Sequence, residues 1–238
     1  MIDTILFDLD GTLLLSDGDE FTKAYFAALG KFMADLHDPD QLLSAVWAGT
    51  KAMIKNDGSR TNEAAFWETY CGIFGKEAAA EEPVFAAFYR TRYTELKTMC
   101  GKHPGLDGFI KALRSSGYKL VVATNPLFPL FVQKERISWT GADPDDFARI
   151  TSYENSHYSK PNPAYYREIL EEIGSSPENS LMVGNDVKED METAAALGMK
   201  GFLMTGYLLN REGKDISGYP QGGFSELQEY IEALSRKE

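Results

Sequence analysis

Cysteine and histidine are scarce in this chain, and a surplus of positive charge is missing altogether. Cys71 and Cys100 are the two cysteines, and they form no CxxC. That excludes a disulfide framework and a cysteine-based zinc site, and it suits a reducing compartment. His37, His103 and His157 are the histidines, and none stands at metal-ligand spacing. The net charge is -12, which argues against nucleic-acid backbones and anionic membranes as partners. It leaves room for a small anion wherever a local cation overrides the overall field. No apolar run approaches the roughly 20 residues needed to span a bilayer. No basic stretch leads into a signal-type segment at the N-terminus, so the expectation is a cytoplasmic protein.

What is present is enough chain for a real core. With 238 residues and 43% apolar content, one large domain, or one carrying a smaller one, is expected. Short, continuous apolar runs recur at Thr4 to Phe7, Tyr118 to Ala123, Leu181 to Val183 and Gly201 to Met204, with a weaker one near Arg149 to Ser152. Such runs suit strands buried on both faces. Helical spacing lies between them. Leu106, Phe109, Ile110 and Leu113 form one stripe, with Gly117 as a stop. Tyr166, Ile169, Leu170 and Ile173 form another, opened by Asn162 and Pro163 and closed by Gly174, and Leu227, Tyr230, Ile231 and Leu234 form a third. Strands alternating with amphipathic helices predict an α/β fold, a Rossmann-like parallel sheet with crossover helices.

The first strand breaks that rhythm. From about Ser16 to Met99 the chain reads as helices, in "EFTKAYFAALGKFMADL", "DQLLSAVWAG", "NEAAFWETYCGIFG" and "PVFAAFYRTRYTEL". An all-helical module over 16–100 is therefore expected to interrupt a core formed by 1–15 and 101–238. Its aromatic residues Phe66, Trp67, Phe85, Phe88 and Tyr89 are expected to be helix packing.

Ligands of open parallel sheets bind at the carboxyl ends of strands. Here those ends carry Asp8-Leu9-Asp10-Gly11-Thr12, Thr124-Asn125, and Gly184-Asn185-Asp186 with Asp190 beyond, while Lys160 precedes Pro161 at a helix start. Carboxylates converging in this way repel one another. Each pair at ~4 Å costs about 4 kcal/mol at an effective dielectric of ~20. A hard divalent cation removes the conflict, and Mg²⁺ suits one or two carboxylates plus a substrate phosphate. A carboxylate can also act as a nucleophile towards phosphorus, and a second one can protonate the leaving alcohol. Gly11 permits the tight turn that brings backbone N–H groups towards a phosphate, with Thr12 beside it. Thr124 and Asn125 offer donors to phosphoryl oxygens, and Lys160 offers positive charge.

These residues resemble the haloacid dehalogenase superfamily. "DLDGTL" at Asp8 to Leu13 matches its DxDGT[LV] motif, Thr124 in "VVATN" its Ser/Thr, Lys160 in "YSKPNPAYY" its Lys, and "LMVGNDVKEDMETAAALGM" its acidic fourth motif. The resemblance implies a Mg²⁺-dependent phosphatase acting on a small phosphate monoester through an aspartyl-phosphate. It implies Asp8 as nucleophile, Asp10 as acid/base with its backbone carbonyl on the metal, Thr124 holding the phosphoryl group and Lys160 stabilising the phosphoaspartate. The helical insertion resembles the family's C1 cap, which closes over the site. Asp10 is similar to the phosphatase pattern and unlike dehalogenases and phosphonatases, which lack an acid there. The fourth motif departs from the common Gly-Asp, since Asn185 follows Gly184. Asp186 is taken as the charged metal ligand, with Asn185 as its neighbour and Asp190 orienting Lys160 or a metal-bound water. The alternatives are a phosphosugar mutase with the same motifs, and a phospho-ligand-binding relative without turnover. Lys51, Lys55 and Arg60, in "AGTKAMIKNDGSR", either reach over the phosphate or lie in a solvated connection.

Overall fold

Buried hydrogen-bonded strands need apolar side chains on both faces, and the central run supplies them. In a computed structural model describing residues 1–235, β1 (Thr4–Phe7) is buried throughout. A helical insertion follows the short β2 (Leu14–Leu15): α1 (Gly18–Phe32), α2 (Pro39–Ile54), α3 (Asn62–Phe74) and α4 (Glu82–Arg90). The chain returns through β3 (Gly101–Lys102), α5 (Leu106–Ser115), β4 (Lys119–Val122), α6 (Leu130–Thr140), β5 (Arg149–Ile150) and α7 (Pro163–Glu172). It finishes with β6 (Ser180–Gly184), α8 (Thr193–Ala196), β7 (Lys200–Met204), β8 (Gln221–Gly222) and α9 (Phe224–Ser235).

Among the described residues six strands form one sheet in the order β5-β4-β1-β6-β7-β8, and every pairing in it is parallel. The chain therefore forms the Rossmann-like α/β core that the alternating pattern predicts. β1 sits between β4 and β6, with Phe7 opposite both Val122 and Val183. That register places Asp8, Thr124 and Asn185 at neighbouring strand ends. Alternate strand residues feed two cores. Ile5, Phe7, Val122 and Val183 join α5, α6 and α9 on one face, and Leu6, Val121 and Met182 join α7 and α8 on the other. Each large apolar side chain so buried contributes about 1.5–3 kcal/mol.

The insertion is not an appendage. Phe21, Tyr25, Phe66, Phe85, Phe88 and Tyr93 belong to the same apolar cluster as Ile5 and Phe7. Its two ends are clasped by antiparallel pairing of Leu14 with Lys102 and Leu15 with Gly101. Polar bonds add a second tie. The Asn62 side chain donates to the Pro126 carbonyl at 3.3 Å and to Ser159 Oγ at 3.1 Å, and the Asn62 N–H donates to the Ser156 carbonyl at 2.9 Å. No described helix is long and apolar enough to cross a membrane.

Several helix starts follow from local chemistry. Asp17 caps α1 by accepting from the N–H groups of Asp19 and Glu20, and Asn162 caps α7 from the N–H of Ala164 with Pro163 in the first turn. Two-residue strands such as β2, β3 and β8 carry no periodicity, and the sequence pattern gives no sign of them.

Candidate active site

Lys160 organises the site. Its side chain is 2% exposed, and its ammonium donates to Asp8 Oδ1 at 2.9 Å and to Asp190 Oδ1 at 2.6 Å. Burial opposes the ammonium charge, but the carboxylates of Asp190 and Asp8 outweigh it and hold the pKa well above its ordinary value. Burial pushes Asp8 the other way, up to about 7, with Lys160 opposing and Asp190 and Asp10 adding to the rise. The second oxygen of Asp190 accepts from the Asp186 N–H at 3.0 Å. This fold-back needs Gly184, because a Cβ there would lie 2.2 Å from Asp190 Oδ2.

Asp8 and Asp10 leave the same turn in different company. Gly11 has φ +73, a left-handed conformation that favours glycine, and a Cβ on it would lie 2.3 Å from Asn185 Nδ2. Asn185 thus packs directly on the Asp8–Thr12 turn. Its Nδ2 donates to the Tyr207 carbonyl at 2.7 Å, and its Oδ1 accepts a long 3.5 Å contact from Thr12 Oγ1. Asp186 is engaged differently. Its Oδ1 accepts from the N–H groups of Lys188 and Glu189 at 2.8 and 2.9 Å, and its Oδ2 from Arg211 at 3.0 Å. Asp10 pairs with Arg136, a buried residue of α6, and accepts from Ser16 Oγ at 3.4 Å. The Arg136 guanidinium also donates to Gln133 Oε1 at 3.2 Å, and its carbon lies 5.6 and 5.5 Å from the ring centroids of Phe21 and Phe128.

Thr124 is buried beside Asp8's strand, and its carbonyl accepts from Thr151 Oγ1 at 2.7 Å and the Tyr165 hydroxyl at 2.8 Å, which fixes the loop. Asn125 accepts from the Lys160 N–H at 2.9 Å and donates to Glu189 Oε2 at 2.8 Å. His103 donates from Nε2 to the Thr12 carbonyl at 2.8 Å, so the segment returning from the insertion supports the first motif. Arg60 pairs with Glu68, and Lys51 and Lys55 are exposed on and just after α2. None of the three lines the cavity at the strand ends.

That cavity holds about 570 Å³ and is lined by Asp8, Asp10, Thr124, Asn125, Asn185, Asp186, Glu189 and Asp190 among others. It therefore collects residues of the first, second and fourth motifs; Gly11, Thr12 and Lys160 do not line it, and Lys160 reaches it through Asp8 and Asp190. Among the described residues no three His, Cys, Asp or Glu side chains form a metal-holding group. The donors in kind are nonetheless those of a hard cation. Asp8, Asp186, the Asn185 amide and the Asp10 carbonyl all offer oxygen, and only two of these are carboxylate side chains. Arg136, Glu189 and Arg211 carry no motif signal. For Arg136, a charged residue on the buried face of α6 with Val132 and Ile137 is the one available hint.

A model of the haloacid dehalogenase-like hydrolases matches residues 2–198. A phosphoglycolate phosphatase of Aquifex aeolicus is 29% identical over 90% of this chain and 90% of its own. A glyceraldehyde 3-phosphate phosphatase of Methanothermobacter thermautotrophicus is 27% identical over 89% of each. A 2-haloacid dehalogenase of Pseudomonas syringae shares the fold with a TM-score of 0.63 at 21% identity, over 100% of both chains.

Proposed function

Since the chain belongs to the haloacid dehalogenase-like hydrolases, and is a phosphatase of that kind, we propose that it hydrolyses a small phosphate monoester through an aspartyl-phosphate on Asp8. The observation that carries this reading is the buried Lys160 bridging Asp8 and Asp190. It supplies a fixed positive charge that favours the ionised, nucleophilic form of Asp8 against the burial that raises its pKa. A group so poised suits attack on phosphorus.

In the first step an Asp8 oxygen bonds to phosphorus, the P–O bond to the alcohol breaks, and Asp10 gives its proton to the departing oxygen. In the second, water gives a proton to Asp10 as its oxygen bonds to phosphorus, and the bond to Asp8 breaks. Asp10 faces Arg136 in the resting arrangement. Proton donation calls for its side chain to turn towards the leaving oxygen. Thr124 binds a phosphoryl oxygen and Lys160 holds the developing charge, while the Gly11 and Thr12 N–H groups close the turn on the Leu14 and Leu9 carbonyls at 2.8 and 3.3 Å. Asn125 keeps Glu189 and the Lys160 backbone in register.

The oxygen donors favour Mg²⁺ as cofactor, held by Asp8, the Asp10 carbonyl and Asp186, with Asn185 adjoining. When bound, the ion neutralises phosphoryl charge. Asp190 acts through Lys160.

The test is release of inorganic phosphate from a panel that includes phosphoglycolate, glyceraldehyde 3-phosphate, and alkyl and aryl-methyl phosphates, with and without Mg²⁺. We expect release that needs the ion and disappears in Asp8→Asn. Release no greater than that of Asp8→Asn on every compound would overturn the reading, and isomer formation from hexose 1-phosphates would redirect it to a mutase.

A further inference from the structure

A second cavity, of about 290 Å³, lies between the helical insertion and α6. Its walls are largely aromatic: Phe21, Tyr25, Trp47, Phe66, Phe85 and Phe128. It shares Asp10, Gly18 and Thr22 with the polar cavity, so the two hollows meet at the proposed acid/base. Among the described residues that line it, the charged ones are Asp10, Glu82 and Arg136, and Arg136 is already paired with Asp10. A leaving group carrying its own carboxylate finds no uncommitted cation here.

We propose that this cavity takes the leaving group, and that the substrate is the phosphate monoester of an apolar aromatic alcohol of one or two rings. The inference rests on the phosphatase reading of the polar site. Volume supports it, since a dry apolar cavity of ~150 Å³ holds one benzene. Ring chemistry supports it too. Phe26 and Trp47 are stacked at 4.9 Å, while Phe66 meets Trp67 and Phe85 edge-on at 5.3 and 6.3 Å. Such walls present both faces and edges to a flat ring. Trp47 remains 43% exposed in spite of its apolar bulk, as a platform at an entrance would be. The position of Asp10 completes the argument. An ester whose ring enters this cavity and whose phosphate lies over Asp8 carries its bridging oxygen past Asp10.

The experiment compares ethyl phosphate, octyl phosphate, benzyl phosphate and 2-naphthylmethyl phosphate, all esters of primary alcohols, so that differences report recognition. We expect kcat/KM for the naphthylmethyl ester to exceed that for ethyl phosphate at least tenfold, mainly through KM. Ala86→Phe, which fills the cavity, should bring that ratio towards one. Binding of 2-naphthylmethanol, followed by tryptophan fluorescence, is measured alongside in wild type, so the result does not depend on that variant folding. Hydrolysis that is intact but as good with ethyl phosphate, or better with octyl, overturns the aromatic subsite and leaves the phosphatase reading standing. Binding of naphthylmethanol with no hydrolysis of any ester keeps the subsite and removes the phosphatase reading. Neither binding nor hydrolysis removes both.

Discussion

The two hollows that meet at Asp10 are built from opposite materials. The polar one is lined by seven carboxylates, Asp8, Asp10, Asp17, Asp19, Asp186, Glu189 and Asp190, over the buried Lys160. The apolar one is walled by rings from the insertion and from the loop leading into α6. Two aspartates of one turn divide between them. Asp8 belongs to Lys160 and the sheet, whereas Asp10 belongs to Arg136 and the aromatic cluster. The lesson is a separation of tasks. In the proposed reading, charge stored at the strand ends serves the reaction and apolar surface under the insertion serves choice of substrate.

The largest effect should come from removing the cations on either side. Lys160→Met leaves Asp8 and Asp190 buried without a countercharge, and loss of one member of such a group costs about 3–5 kcal/mol. Arg136→Met should cost less, because the Asp10 side chain is 42% exposed and water screens part of its charge. Denaturant midpoints for the two variants measure the difference, and phosphate release should vanish only for Lys160→Met. Equal losses of stability, or activity surviving in Lys160→Met, would break the contrast.

A smaller effect concerns pH. Asp8 is raised from its ordinary 3.8 to about 7, first by burial. Between those values the folded chain holds a proton that the unfolded chain has shed. The stability this confers is present at low pH and declines as pH rises through about 7. The metal-free protein should show that decline, and Asp8→Asn should lack it. Mg²⁺, by favouring the ionised carboxylate, should draw the decline to lower pH. Denaturation at stepped pH values measures all three.

Much of this arrangement is legible in the chain because it is local. "DLDGTL" places a strand end, a tight turn and two acids within six residues, and Asn162, Pro163 and Gly174 bracket a helix. The doubly buried strands betray themselves as continuous apolar runs. What is hidden is tertiary. Arg136 lies 126 residues from Asp10, and nothing around it announces the pairing. Glu189 and Arg211 gain meaning only when Asn125 and Asp186 come alongside. The aromatics Phe66, Trp67, Phe85 and Tyr89 are expected as helix packing, and they do pack, yet they also line a cavity. An apolar helix face reads the same whether it meets another side chain or an open space. The fourth motif is legible as acidic but not as geometry. Asn185 is the residue pressed on the Asp8–Thr12 turn, while Asp186 caps the following turn and meets Arg211.

The central claim is that Asp8 carries the phosphoryl group. Acid-quenching the protein within its first turnovers on a hydrolysed ester, followed by peptide mass spectrometry, tests it most directly. The account predicts a phosphorylated peptide that contains Asp8 in wild type and none in Asp8→Asn. Phosphate release at full rate from Asp8→Asn, or phosphate found on another residue, would contradict it.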